Sequence, residues 1–92
     1  ASEVFAATRL QVTAALEAEG FAVEQRHIVG EPDLLLMHGT SKHGVVSFGV
    51  RNSGTQAKTS LSMRLSRSLD PRPFWAIQAR VEDDLVNALT AP

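Results

Sequence analysis

Apolar and polar positions along this chain change period several times. Between residues 3 and 19, Phe5, Val12 and Leu16 fall on one narrow helical face, with Thr8 and Ala15 beside them. The stretch is rich in alanine, Ser2 suits an N-cap, and Gly20 suits the position just past a helix C-terminus. Leu10 points away from the stripe, close to Glu3 and Glu17, so either the apolar face is wide or Leu10 meets a second surface. Residues 21–28 alternate loosely, Phe21 and Val23 against Glu24 and Arg26, which predicts a strand with one wet face. Val29-Gly30-Glu31-Pro32 is a turn signal. Residues 33–37 follow with one acid and four apolar side chains, a run suited to a strand covered on both faces. Residues 38–44 read as a polar hairpin loop. In residues 45–51, Val46, Phe48 and Val50 take one face of a strand while Ser47, Gly49 and Arg51 share the other.

The second half reads differently. Asn52-Ser53-Gly54 breaks the pattern, and residues 55–69 carry Ala57, Leu61, Leu65 and Leu69 four apart, the spacing of a helical stripe. Ser60, Ser62, Ser66 and Ser68 lower its helix propensity, so packing must hold it. Asp70-Pro71-Arg72-Pro73 is read as its stop. Residues 74–81 alternate again and predict a fourth strand. Glu82, Asp83 and Asp84 suit the start of a last short helix, whose apolar side is Leu85, Val86 and Leu89. The expected order is α-β-β-β-α-β-α. That is an α/β (α+β) chain with a four-stranded mixed sheet flanked by helices. Residues 33–37 and 45–51 are expected as antiparallel neighbours, with Leu34 and Leu36 on one face, Leu35 on the other, and Leu61 and Leu65 packed on the sheet.

Length fits one domain over residues 1–92. With Ala at position 1 and a helix beginning almost at once, the chain reads as a domain cut from a longer protein. The absence of cysteine excludes a disulfide scaffold, a thiolate zinc site and a cysteine nucleophile. No apolar run approaches the roughly 18 residues of a membrane span, and no basic-then-apolar leader is seen, so a cytoplasmic location without a membrane partner is expected.

A net charge of −1 hides an asymmetry. Residues 1–41 hold two basic and six acidic groups, net −4, and residues 42–81 hold seven basic groups against Asp70, net +6. If folding gathers that positive charge on one side, it could face phosphate. Scattered solubilising charge is the plainer alternative.

Pro32-Asp33 opens the second strand of this reading and Gly49-Val50-Arg51 ends the third. With the element order, these residues resemble the PD-(D/E)xK nuclease superfamily, whose helix, three strands, helix, strand core would span the chain almost end to end. In active members two acids hold magnesium and a lysine orients or activates water. Alternate strand residues point the same way, which is how such ligands converge. The resemblance places Asp33 as the first acid, Gly49 at the second acid, Arg51 at the lysine, and Glu3, Glu17 or Glu19 as a possible helix-borne acid. Gly49 offers no side-chain oxygen, and Arg51 keeps a charge but does not give up its proton at ordinary pH, so it is a poor proton carrier. The resemblance therefore implies a restriction-endonuclease-like core without a complete metal site. Asp33 and Arg51 are expected at the same sheet edge as an ion pair, Arg51 occupying the space of the ion.

The remaining candidates are weaker. His38 and His43 flank a loop without a third clustered ligand, and His27 reads as a surface or packing residue. Asn52-Ser53-Gly54 lacks the rest of a phosphate loop, and no supported Ser/His/acid triad is visible. Three functions stay open. The first is a nucleic-acid-associating domain that touches DNA or RNA through Arg51, Lys58, Arg64 and Arg67, without cleavage and without a cofactor. The second is a protein-interaction or assembly module that meets other domains of a parent protein or a second copy of itself. The third is an active magnesium-dependent endonuclease using Asp33 and a helix-borne acid such as Glu17.

Overall fold

The computed structural model describes residues 2–26, 28–52 and 57–90. His27 and the expected turn at 53–54 lie outside the described residues, as do the side chains of Ser2, Glu3, Phe5 and Leu89. The elements are α1 (Ser2–Ala18), β1 (Ala22–Arg26), β2 (Leu34–Ser41), β3 (Gly44–Asn52), β4 (Ala57–Leu65) and α2 (Arg72–Thr90). The four strands form one antiparallel sheet in the order β1-β2-β3-β4.

α1 ends as its sequence asks. Gly20 takes a φ of 88°, and the amides of Gly20 and Phe21 donate to the carbonyls of Glu17 and Leu16 at 2.9 and 3.0 Å. This is the paired closure of a helix by a left-handed glycine. Phe21 is thereby turned inward, where its ring meets Phe74 edge-on with 5.4 Å between centroids. Val12 and Leu16 from α1 and Phe74, Val81 and Leu85 from α2 pack on Leu35, Met37, Val46, Phe48 and Val50 of the sheet. Both helices supply this single core, so the molecule has two layers and the opposite sheet face has no helix over it. Leu10, directed away from the stripe, is 71% exposed.

The pairing of β2 with β3 agrees with the sequence reading, and Leu35 lies on the core face opposite in sense to Leu34 and Leu36. Leu34 and Leu36 are only half-buried, because one face of their strand is open. β2 also runs on through His38–Ser41, which leaves only residues 42–43 as the turn.

Two elements differ in kind from the sequence reading. The stretch expected as the second helix is strand β4. A spacing of four is common to a helix turn and to every second position of one strand face, so the leucine stripe fits either. The unbroken alternation of Lys58, Ser60, Ser62 and Arg64 with Thr59, Leu61, Met63 and Leu65 settles it as period two. The stretch expected as the fourth strand lies within α2, where Phe74, Ile77, Val81 and Leu85 form an inward helical stripe. Asp70-Pro71 is a helix start: the Arg72 amide donates to Asp70 Oδ1 at 2.9 Å, and Pro71 needs no donor there. The observed order is α-β-β-β-β-α and the sheet is antiparallel, not mixed. The chain is α+β, and its order departs from the helix, three strands, helix, strand order that the resemblance implied.

Candidate functional site

Strand register decides which side chains share the uncovered face. Cross-strand pairs set Glu24, His38, Ser47 and Ser62 in one row, and Arg26, Leu36, Gly49 and Ser60 in the next. Thr40, Val45 and Arg64 lie beyond the first row, and Leu34, Arg51 and Lys58 beyond the second. The middle of the face is made of small residues. Gly49 is buried there, and a Cβ on it would come within 2.7 Å of Ser60 Oγ and 3.2 Å of a Leu36 methyl.

Two shallow depressions mark the face. One of about 310 Å³ is lined by His38, Val45, Ser47, Ser62 and Arg64. The other, about 340 Å³, has Leu34, Leu36 and Gly49 against Arg51, Lys58 and Ser60. Each sets a cation and a serine hydroxyl beside aliphatic surface, a donor set for a carboxylate or phosphate oxygen with an apolar neighbour. His38 Nδ1 lies 2.9 Å from Ser47 Oγ. The sequence reading missed this pair because His38 was placed in the loop. Its signal was parity: once β2 extends to Ser41, His38 falls opposite Ser47. The pair shares its depression with the Ser62 hydroxyl and the Arg64 guanidinium.

The residues expected to converge do not. Asp33 is exposed in the turn before β2, and Leu34 is the residue opposite Arg51. Arg51 pairs with Glu31 at 3.1 Å instead of with Asp33. The turn explains the exchange: the Glu31 amide donates to the Ile28 carbonyl, and the Leu34 amide to the Glu31 carbonyl, which curls Glu31 toward the strand end. Glu17 and Glu19 are exposed at the end of α1, in the layer behind the sheet, so neither shares a face with Arg51. Among the described residues no three histidine or carboxylate side chains group as metal ligands.

Lys58 and Arg64, expected on a helix, lie on the same face of β4 six residues apart, roughly 20 Å at strand rise. Arg67 is exposed in the turn that follows. The Ser66 amide donates to the His43 carbonyl at 2.8 Å, joining that turn to the β2–β3 hairpin and setting Lys42, Arg64 and Arg67 at one end of the sheet. None of these three, nor Lys58, is in an ion pair among the described residues.

Charge is thus sorted by layer. The helices with Glu19 carry six acidic and three basic groups, net −3, and the sheet with its other connections carries six basic and four acidic, net +2. At the junction, Asp70 is held below the usual carboxylate range, first by the Arg72 side chain and then by the Arg72 amide. Among the described residues no helix is long and apolar enough to cross a membrane. No model of a known protein family, no curated protein and no solved structure matches the chain.

Proposed function

We propose that this domain is a protein-interaction module without catalytic activity of its own, and that it receives a partner's acidic segment on the uncovered sheet face. One observation carries the reading: the open face sets Lys58 and Arg64, cations without an ion pair among the described residues, around a floor of Gly49, Ser47, Ser60 and Ser62, flanked by half-buried Leu34 and Leu36. Small side chains allow close approach of a backbone, cations select negative charge, and the leucines reward apolar contact.

Nucleic-acid association is a second reading, favoured by the convergence of Lys42, Arg64 and Arg67 at the hairpin end. Among the described residues the open face bears no Phe, Tyr or Trp, and His38 is its one ring for stacking a base, so phosphate contact would have to supply most of the binding.

Panning a random peptide library against the domain separates the readings. Acid-rich peptides are expected to enrich on the wild type and to be lost on a Lys58→Glu/Arg64→Glu variant that melts like the parent. Failure to enrich, together with binding of a DNA or RNA oligonucleotide whose affinity falls steeply with salt, would replace the protein reading by the nucleic-acid one.

A further inference from the structure

Resting on the interaction-module reading, we infer that the partner segment binds as a fifth strand along the outer edge of β4. It is an extended segment of another protein, with carboxylates six residues apart on one face and apolar side chains on the other.

The ladder shows which backbone groups are available. The bond from the Ser66 amide to the His43 carbonyl continues the β3–β4 register by one step. Bonded pairs alternate in an antiparallel ladder. Arg64, Ser62, Ser60 and Lys58 therefore spend their amides and carbonyls on β3, and Thr59, Leu61 and Met63 turn theirs outward. Among the described residues no other backbone group bonds to these three. β4 is nine residues long, without proline, and pairs with β3 residue by residue without a bulge. Such an edge is a template for a further strand unless something blunts it.

Side chains on the two faces of β4 state what that strand must carry. On the open face, Lys58 sits at one depression and Arg64 at the other, with Ser60 and Ser62 between them. Residues opposite Lys58 and Arg64 on an added strand are also six apart, so a carboxylate at each would reach a cation and small residues would cover the serines. On the helix side, Leu61, Met63 and Leu65 pack against the core but remain only half-buried. Trp75 stands on the same flank of α2 as Gln78, whose amide donates to Thr59 Oγ1 at 3.2 Å, and it is 54% exposed. Apolar side chains of an added strand would close over this strip.

A second copy of this chain fits poorly. Antiparallel pairing of two β4 strands about Leu61 sets Lys58 of one copy against Arg64 of the other, and parallel pairing sets each cation against itself. The charges that keep two copies apart are those that select an acidic strand.

The test uses the whole chain and a fluorescein-labelled peptide of about ten residues. The peptide has glutamates at its second and eighth positions, serines between them on that face, and valine and isoleucine on the other. Binding is expected by anisotropy, with at least tenfold loss for the scrambled peptide. The Lys58→Glu/Arg64→Glu variant should lose at least tenfold as well and regain binding when lysines replace the peptide's glutamates. In the wild type, the amides of Thr59, Leu61 and Met63 should gain protection from hydrogen exchange when the peptide binds. Met63→Pro, which removes an outward amide and no β3 bond, should weaken binding about tenfold with an unchanged circular dichroism spectrum. Binding that depends on Lys58 and Arg64 without new amide protection would overturn strand addition and leave the interaction reading standing. No peptide binding at millimolar concentration, or self-association through β4 in its place, would sink both.

Discussion

The guanidinium of Arg51 at the end of β3 lies 3.1 Å from the carboxylate of Glu31 in the β1–β2 connection. Both side chains are about half exposed, so solvent screens the pair and its contribution to stability is small. Glu31→Gln should change the unfolding free energy measured in urea by less than about half a kilocalorie per mole. Its larger effect should be on binding. Arg51 is then an uncompensated cation on the open face, so acidic peptides should bind more tightly and with steeper salt dependence. Looser binding would mean that Glu31 itself touches the partner.

Asp70 caps α2 and is held below the ordinary carboxylate range by Arg72. A depressed pKa means that the folded state favours the ionised form. The stabilisation is therefore fully present above the unfolded value near pH 4 and is lost as pH falls through the lower folded value. Asp70→Asn should melt at a lower temperature than the wild type at pH 7, and the gap should narrow as the pH falls below the ordinary carboxylate range. A gap that persists unchanged into acid would show that geometry of the cap, not its charge, stabilises the helix.

Burial separates the two leucine-rich surfaces. Phe48 lies on a central strand and is 1% exposed, and Phe48→Ala should cost about 3–5 kcal/mol. Leu61 and Leu65 lie half-buried at the β4 edge, and either change to Ala should cost about 1–2 kcal/mol, below the range for a fully enclosed leucine. Urea unfolding of the three variants measures the order. Equal costs would mean that the β4 edge is already covered in the free protein.

Magnesium or manganese should leave the melting temperature unchanged, and the domain alone should not nick plasmid DNA or cut RNA. Asp33 lies in an exposed turn and belongs to no cluster of three metal-ligating side chains among the described residues, and Glu17 belongs to the layer behind the sheet. Gly49→Glu supplies the missing acid in name only. Its Cβ must displace Ser60 and Leu36, and the expected result is a loss of about 1–3 kcal/mol with no metal-dependent cleavage. Cleavage that appears in this variant and vanishes when Asp33→Ala is added would restore the nuclease reading.

Some features were legible because they depend only on neighbours in the chain. α1 and its glycine stop, the β2–β3 pairing, and the parity that puts Ser47, Gly49 and Arg51 on one face follow from spacing within a few residues. The segregation of positive charge into residues 42–81 was legible as a sum. Tertiary structure decided what local periodicity left degenerate. A leucine every fourth position satisfies a helix and a strand alike, and β4 became a strand because β3 offered it a complete ladder. Residues 74–81 alternate like a strand, yet they became helix because Asp70 caps them and Phe74, Val81 and Leu85 find the core. The partner of Arg51 was decided in the same way. Register put Leu34, not Asp33, opposite it, and a turn delivered Glu31. Which face stays open, and therefore which cations are presented together, depends on both helices packing on the same side of the sheet, a long-range outcome of core burial that no window of sequence contains.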